Sequence, residues 1–169
     1  MIVDIKILDD SSKVWIYQSK SLLTDDEVDC IRDDLNAFLE NWTSHNARLY
    51  TYGDIFHHRF IVLFVDERFA GTSGCSIDKS VHFIEALERK YNLSLTERTE
   101  VAYFEKTGKP ESEEANIIKL VLLHDLKDAY EKGLINENTM VFNNLVKTKE
   151  EFLSKWANPL GKSWHMRFV

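Results

Sequence analysis

Ile55 to Val65, IFHHRFIVLFV, is the stretch whose reading decides the fold. Its latter half, Phe60 to Val65, is apolar at every position, whereas a strand with one solvated face would alternate. A short run that is apolar on both faces belongs at the centre of a sheet. It falls far short of the roughly 20 residues a membrane-spanning helix needs.

Working outward, Ala47 to Tyr52 reads as a partner strand, with Gly53-Asp54 as the hairpin turn between the two. Further upstream, Lys13 to Ser19 (KVWIYQS) is a β-branched and aromatic run of strand type. Thr24 and Glu27 form a capping-box pattern, and Val28, Ile31, Leu35, Phe38 and Trp42 follow at helical spacing as one buried stripe. Downstream, a polar loop from Asp66 to Cys75 leads into a helix over Ser76 to Tyr91, with Ile77, Val81, Ile84, Leu87 and Tyr91 on its buried face. Arg98 to Glu105 reads as a further strand.

The order strand, helix, strand, strand, helix, strand predicts an α+β fold, the split βαβ arrangement of ferredoxin-like sandwiches. The chain reads as a single domain over 1–169, with this core at 13–105 and a packed C-terminal α/β extension at 106–169. In the extension, Lys106 to Glu113 reads as a loop and Glu114 to Tyr130 as a helix ending near Gly133. A short strand at Thr139 to Phe142 and a second capping-box helix from Thr148 with Glu151 follow. In the tail, Ser163 to Val169, alternation puts Trp164, Met166 and Phe168 on one strand face and His165 with Arg167 on the other.

With 169 residues, 44% of them hydrophobic, the chain is long enough to bury a core without a metal or disulfide. Twenty-eight acidic against 21 basic side chains give a net charge of −7, which repels phosphate polymers and anionic headgroups, so neither nucleic acid nor membrane is an expected partner. Stacking of RNA on Trp15, Tyr17, Tyr50, Tyr52 and Tyr103 meets the same objection. Met1 to Asp10 lacks the pattern of a signal peptide, and Cys30 and Cys75 make no disulfide framework, so a cytoplasmic location is expected.

Gly71 to Ser80 (GTSGCSIDKS) is the most informative segment for chemistry. Small residues between a buried strand and a helix leave backbone N–H groups to meet an anion. It is not a Walker loop, because Asp78 stands where Gly should precede Lys79-Ser80. The Gly161 to Ser163 match fails too, with Trp156 in place of the first Gly. Cys75 near the helix start has a lowered thiol pKa if it is accessible, or is a buried small hydrophobe, with Ser76 or Asp78 as the helix cap.

With the first and third strands read as parallel neighbours, Gln18 and Ser19 face the Ser73 to Asp78 loop. The expected ligand set is then Gln18, Ser73, Gly74, Ser76, Asp78 and Lys79, with Cys75 as nucleophile and His165 as base. Asn143-Asn144 reads as a turn, or as ligand contacts if it meets that loop, and Arg167 is either solvated or anion-binding. His45 and the His57-His58 pair sit at the opposite edge, where adjacent strand residues point to opposite faces, so no metal site is assigned. No cofactor is called for.

WIYQS at Trp15 to Ser19, Trp42 with His45, SGCSIDKSVHFI at Ser73 to Ile84, VFNNLV at Val141 to Val146 and SWHMRF at Ser163 to Phe168 together resemble one family. It is a group of short bacteroidete proteins that carry the name "ABC transporter ATPase". The resemblance implies that Trp42, His45, Gly74 to Asp78, Asn143, Asn144, Trp164, His165 and Arg167 are motif positions. Asn46 stands where the family pattern has Gly. No Walker loop or signature motif is present, so the name does not fit the chemistry. The expectation is a small anionic or phosphate-bearing ligand at the 73–78 loop, with thiol or hydrolytic chemistry. The alternative is a non-catalytic interaction module that forms homodimers.

Overall fold

The computed structural model describes residues 1–44, 47–68, 74–106 and 116–169, with backbone alone at 43, 44, 47, 48, 75, 76, 106 and 116. The elements are β1 (Lys13–Gln18), α1 (Asp25–Asn41), β2 (Thr43–Ser44), β3 (Ala47–Arg48), β4 (Tyr50–Phe56), β5 (Phe60–Asp66), α2 (Gly74–Tyr91), β6 (Glu100–Lys106), β7 (Asn116–Leu122), α3 (Leu126–Glu131), β8 (Met140–Phe142), α4 (Lys149–Lys155) and β9 (Ala157–Pro159). The fold is α+β. The chain divides into two units, Met1–Thr96 with Leu145–Leu153, and Glu97–Asn144 with Ser154–Val169.

The first unit is built on the sheet β1-β5-β4, in which every pairing is antiparallel. β5 is buried at all seven positions, as its unbroken apolar run demands. Ile61, Leu63 and Val65 pack with Val28, Ile31, Leu35 and Leu39 of α1 and Ile84 and Leu87 of α2. Phe64, of opposite parity, meets Phe152 edge-on at 5.1 Å, and Phe56 meets the same ring at 5.3 Å. The Thr24 capping box is present, with Glu27 N–H donating to Thr24 Oγ1 and the Glu27 carboxylate accepting from Thr24 N–H.

Three expectations are corrected in this unit. The hairpin turn lies at His57-His58, both left-handed at φ 52 and 51, and Gly53-Asp54 is inside β4. Gly53 is there for space, because a Cβ would stand 2.8 Å from Leu39 Cδ1. The stripe of α2 is only half buried, since Ile84 and Leu87 are in the core while Ile77 and Val81 are 38% and 40% exposed. Finally, β1 and β5 are neighbours but antiparallel.

The order β1-β5-β4 matches the first three strands of a split βαβ sheet, where the parallel pair β1 and β4 flanks an antiparallel β5. The fourth strand does not complete it. The residues expected to lie beside β1 form β6, in the four-stranded antiparallel sheet β7-β6-β8-β9 of the second unit. The cause is β7. Asn116 to Leu122, expected as helix, is extended and pairs with β6 over its whole length, so β6 has a hairpin partner close in sequence. Its β-branched Ile117, Ile118 and Val121 suit a strand. Beside β1, residues 147–149 stand instead, through the bridge Lys13↔Thr148.

In the second unit Val101, Leu126, Ala129, Ile135, Val141 and Leu160 form the core. The helix of this region is confined to α3 and ends near Gly133, whose φ of 72 and N–H bond to Tyr130 O mark a left-handed stop. The tail is a 3-10 helix over Trp164–Phe168, not a strand. No helix among the described residues is long and apolar enough to cross a membrane.

Candidate functional site

The expected anion loop leads into α2. Ser73 lies outside the described residues, and of Cys75 and Ser76 only the helical backbone is described. Gly74 opens the helix, and a Cβ there meets nothing within 4 Å among the described residues. Asp78 and Lys79 are exposed, whereas Ser80 turns inward and donates from Oγ to Ile77 O at 2.7 Å. α2 has no acidic side chain in its first turn. α1, in contrast, carries Asp25, Asp26 and Glu27 in its own. The positive end of the α2 dipole is therefore not offset by a carboxylate of that turn.

Gln18 stands at the end of the β1–β5 pair away from Asp66. It pairs with Phe60, while the connection to α2 leaves from Asp66 at the far end of the strand, about 20 Å away at the usual rise per residue. Lys13 occupies that end, paired with Val65 and joined to Glu67 by an ion pair of 2.8 Å. Beside it, the buried Asp66 accepts from Arg68 Nη2 at 2.6 Å, Arg68 Nε at 3.0 Å and the N–H of Asp9 at 3.3 Å. Arg68 Nη1 also lies 3.1 Å from Asp9. The hydrogen bonds from Arg68 hold the Asp66 carboxyl below its ordinary range. A cavity of about 220 Å³ lined by Val3, Ile7, Leu8, Tyr50, Asp66 and Arg68 opens here. Sequence reading missed this cluster. Its signal was an Asp placed directly after six apolar strand residues, with Arg two positions on.

A second group of expected residues gathers in the second unit. Asn143 Oδ1 accepts from the Trp164 indole at 2.9 Å, and Asn144 Oδ1 accepts from the Trp156 indole at 3.0 Å. Asn143 N–H donates to Trp156 O at 2.6 Å, which closes the connection after β8. Trp164 stacks on His165 with centroids 3.9 Å apart. His165 Nδ1 shares a hydrogen bond of 2.6 Å with Ser163 Oγ. His165 is 3% exposed, and burial pushes its pKa down to about 4, so the imidazole is neutral at pH 7. Arg167 is exposed. The expected shared face of His165 and Arg167 is corrected, because alternate residues of a 3-10 helix point in different directions.

His45 lies outside the described residues. His57 and His58 form the hairpin turn, where His58 Nδ1 is 3.2 Å from Leu23 O and the Arg59 guanidinium donates to Ser19 O and Lys20 O at 2.8 Å each. Turn and β1–α1 connection thus hold one another. Trp15 packs on Trp42 and Tyr17 is in the core, so these two rings are not an open stacking platform.

No protein-family model matches the chain, and no curated protein or solved structure matches it either. Gly74, Asp78 and Lys79 are grouped at α2 in the first unit, and Asn143, Asn144, His165 and Arg167 near the tail of the second. The expected pairing of Cys75 with His165 spans the two units.

Proposed function

We propose that this protein binds a small anionic or phosphate-bearing molecule at the start of α2 and is not an ABC ATPase. The observation that carries the reading is an 18-residue helix whose first turn has no acidic side chain and opens on Gly74, with Lys79 exposed one turn in. The resemblance to the bacteroidete family supports it, since Gly74 to Asp78 are motif positions there. Ser73, Gly74, Ser76, Asp78 and Lys79 make up the ligand set, and Gln18 drops out because of its register. In the catalytic form of the reading Cys75 is the nucleophile.

The test is thermal unfolding of wild type, Lys79→Glu and Cys75→Ser against inorganic phosphate, nucleotides, sugar phosphates and uncharged analogues. An anion at about 100 times its dissociation constant stabilises wild type by about 2.7 kcal/mol. The expected result is such a shift, lost in Lys79→Glu, kept in Cys75→Ser because the thiol is not in the ligand set, and absent with uncharged analogues. No shift with any anion refutes the reading.

A second reading, a self-associating interaction module, is favoured by apolar side chains left in solvent. Ile77 is 38%, Val81 40% and Ile117 42% exposed.

A further inference from the structure

The sheet edges of this protein are not treated alike. A free edge presents a row of backbone N–H and C=O groups that will pair with another strand, and proteins blunt such edges. On β4, Thr51 is taken up by Met1 O and Val3 N–H, and the next outward N–H but one, that of Ile55, is capped by Asp54 Oδ1 at 2.8 Å. On β1, Val14 N–H donates to Lys147 O, Ser12 O accepts from Lys149 N–H, and Ile16 is 7% exposed. β9 is three residues long and ends in Pro159. β7 is different. It is seven residues, NIIKLVL, without proline or acidic side chain, and among the described residues it pairs with β6 alone.

The hydrogen-bond phase of that edge can be read off. Leu123 N–H donates to Thr99 O at 2.8 Å, and this pair continues the β6–β7 register beyond Glu100↔Leu122. Bonding residues alternate in an antiparallel ladder. Ile117, Lys119 and Val121 therefore turn their backbone groups toward β6, and Ile118, Leu120 and Leu122 turn theirs outward.

We infer that β7 is a dimerisation edge, and that its occupant is β7 of a second copy, antiparallel across a two-fold axis. This rests on the interaction-module reading and is independent of the anion site. An antiparallel strand is its own complement about a two-fold axis, so every copy carries both halves of the contact. Outward residues must pair with outward residues, which leaves registers centred on Ile118, on Lys119 or on Leu120. The Lys119-centred register sets two ammonium groups directly opposite and is disfavoured. The other two set Lys119 against Ile117 or Val121 of the other copy, whose apolar surface takes the lysine stem. Charge also permits self-pairing. The chain carries a net charge of −7, but this strand has no carboxylate and one cation, Lys119, paired with Glu105 of β6 at 3.8 Å, so the strand itself adds no anionic repulsion to the contact.

Sedimentation velocity on the full chain over a wide concentration range tests this, with hydrogen exchange alongside. Wild type is expected to pass from the chain mass of 19.8 kDa to twice that value, with the amides of Ile118 and Leu120 slowing as dimer forms. Ile117→Lys adds charge at an exposed edge position, and Leu120→Pro deletes an outward N–H without touching the β6 ladder. Each raises the dimer dissociation constant at least about tenfold. Should Leu120→Pro fail to fold by circular dichroism, Ile117→Lys and the exchange data decide. A wild type that stays at chain mass throughout overturns both this inference and the interaction-module reading. A dimer unchanged in Ile117→Lys, with fast exchange at Ile118 and Leu120, overturns the β7 assignment alone.

Discussion

His165 shows how much one residue's meaning depends on its neighbours. As a letter in SWHMRF it is a candidate base, but in the fold it is a buried neutral imidazole held between Trp164 and Ser163. Its pKa stands near 4 when folded, against about 6.5 in an unfolded chain. Below pH 6.5 the unfolded state takes up a proton that the folded state refuses, so stability falls on acidification from 6.5 toward 4 and is fully present above 6.5. Between pH 6.5 and 5 the loss amounts to about 2 kcal/mol. His57, also lowered by burial, adds a loss of the same sign. His165→Phe keeps a ring against Trp164 and removes the titration, so its urea midpoint is expected to vary less than that of wild type between pH 7 and 5. Equal pH dependence in the two proteins rules the assignment out. The Thr24–Glu27 cap was legible at this scale because both partners are local in sequence. The burial of His165 was not, since it depends on the tail turning 3-10 rather than extended.

At the scale of elements, α1 was readable almost whole, because a helix of 17 residues repeats its apolar spacing several times. The β4–β5 turn was not. Gly-Asp is the better turn chemistry on paper, yet the fold needs Gly53 where α1 crosses β4 and puts the turn on two histidines at positive φ. Tertiary close approach outweighed local propensity. At Gly53 an alanine methyl would press Leu39 Cδ1 at 2.8 Å, Val62 O at 3.0 Å and Leu35 Cδ2 at 3.2 Å. The leucines have rotamer freedom but the Val62 carbonyl does not, so Gly53→Ala is expected to cost about 1–3 kcal/mol. Gly74→Ala, at an open helical position, serves as the control and is expected to be neutral in chemical denaturation. Comparable losses in both would mean that α1 does not sit as close to β4 as described.

For the whole chain, the strand order within β1-β5-β4 was legible and the membership of β6 was not, because sheet membership is settled by pairing with a segment, β7, whose short apolar pattern suits helix and strand equally. The same limit hid the closure of the first unit. Residues 145–153 return to it from far along the chain, and Phe152 covers the Phe56 and Phe64 face of the sheet. Lys149 N–H donates to Ser12 O and Glu150 N–H to Asp10 O, both within 3.0 Å. The buried Lys149 ammonium donates to Leu8 O at 2.6 Å and lies 3.1 Å from Asp10. A chain ending at Thr96 has lost all of this, and its sheet turns an apolar face to water with the edge of β1 open. Residues 1–96 alone are therefore expected to lack a cooperative unfolding transition and to bind a hydrophobic dye, whereas the full chain does neither. Lys149→Met in the full chain removes only the ammonium and leaves Leu8 O short of its donor, a loss of about 1–3 kcal/mol with cooperativity kept. A 1–96 fragment that melts as sharply as the full chain would show that the returning segment decorates the unit and does not close it.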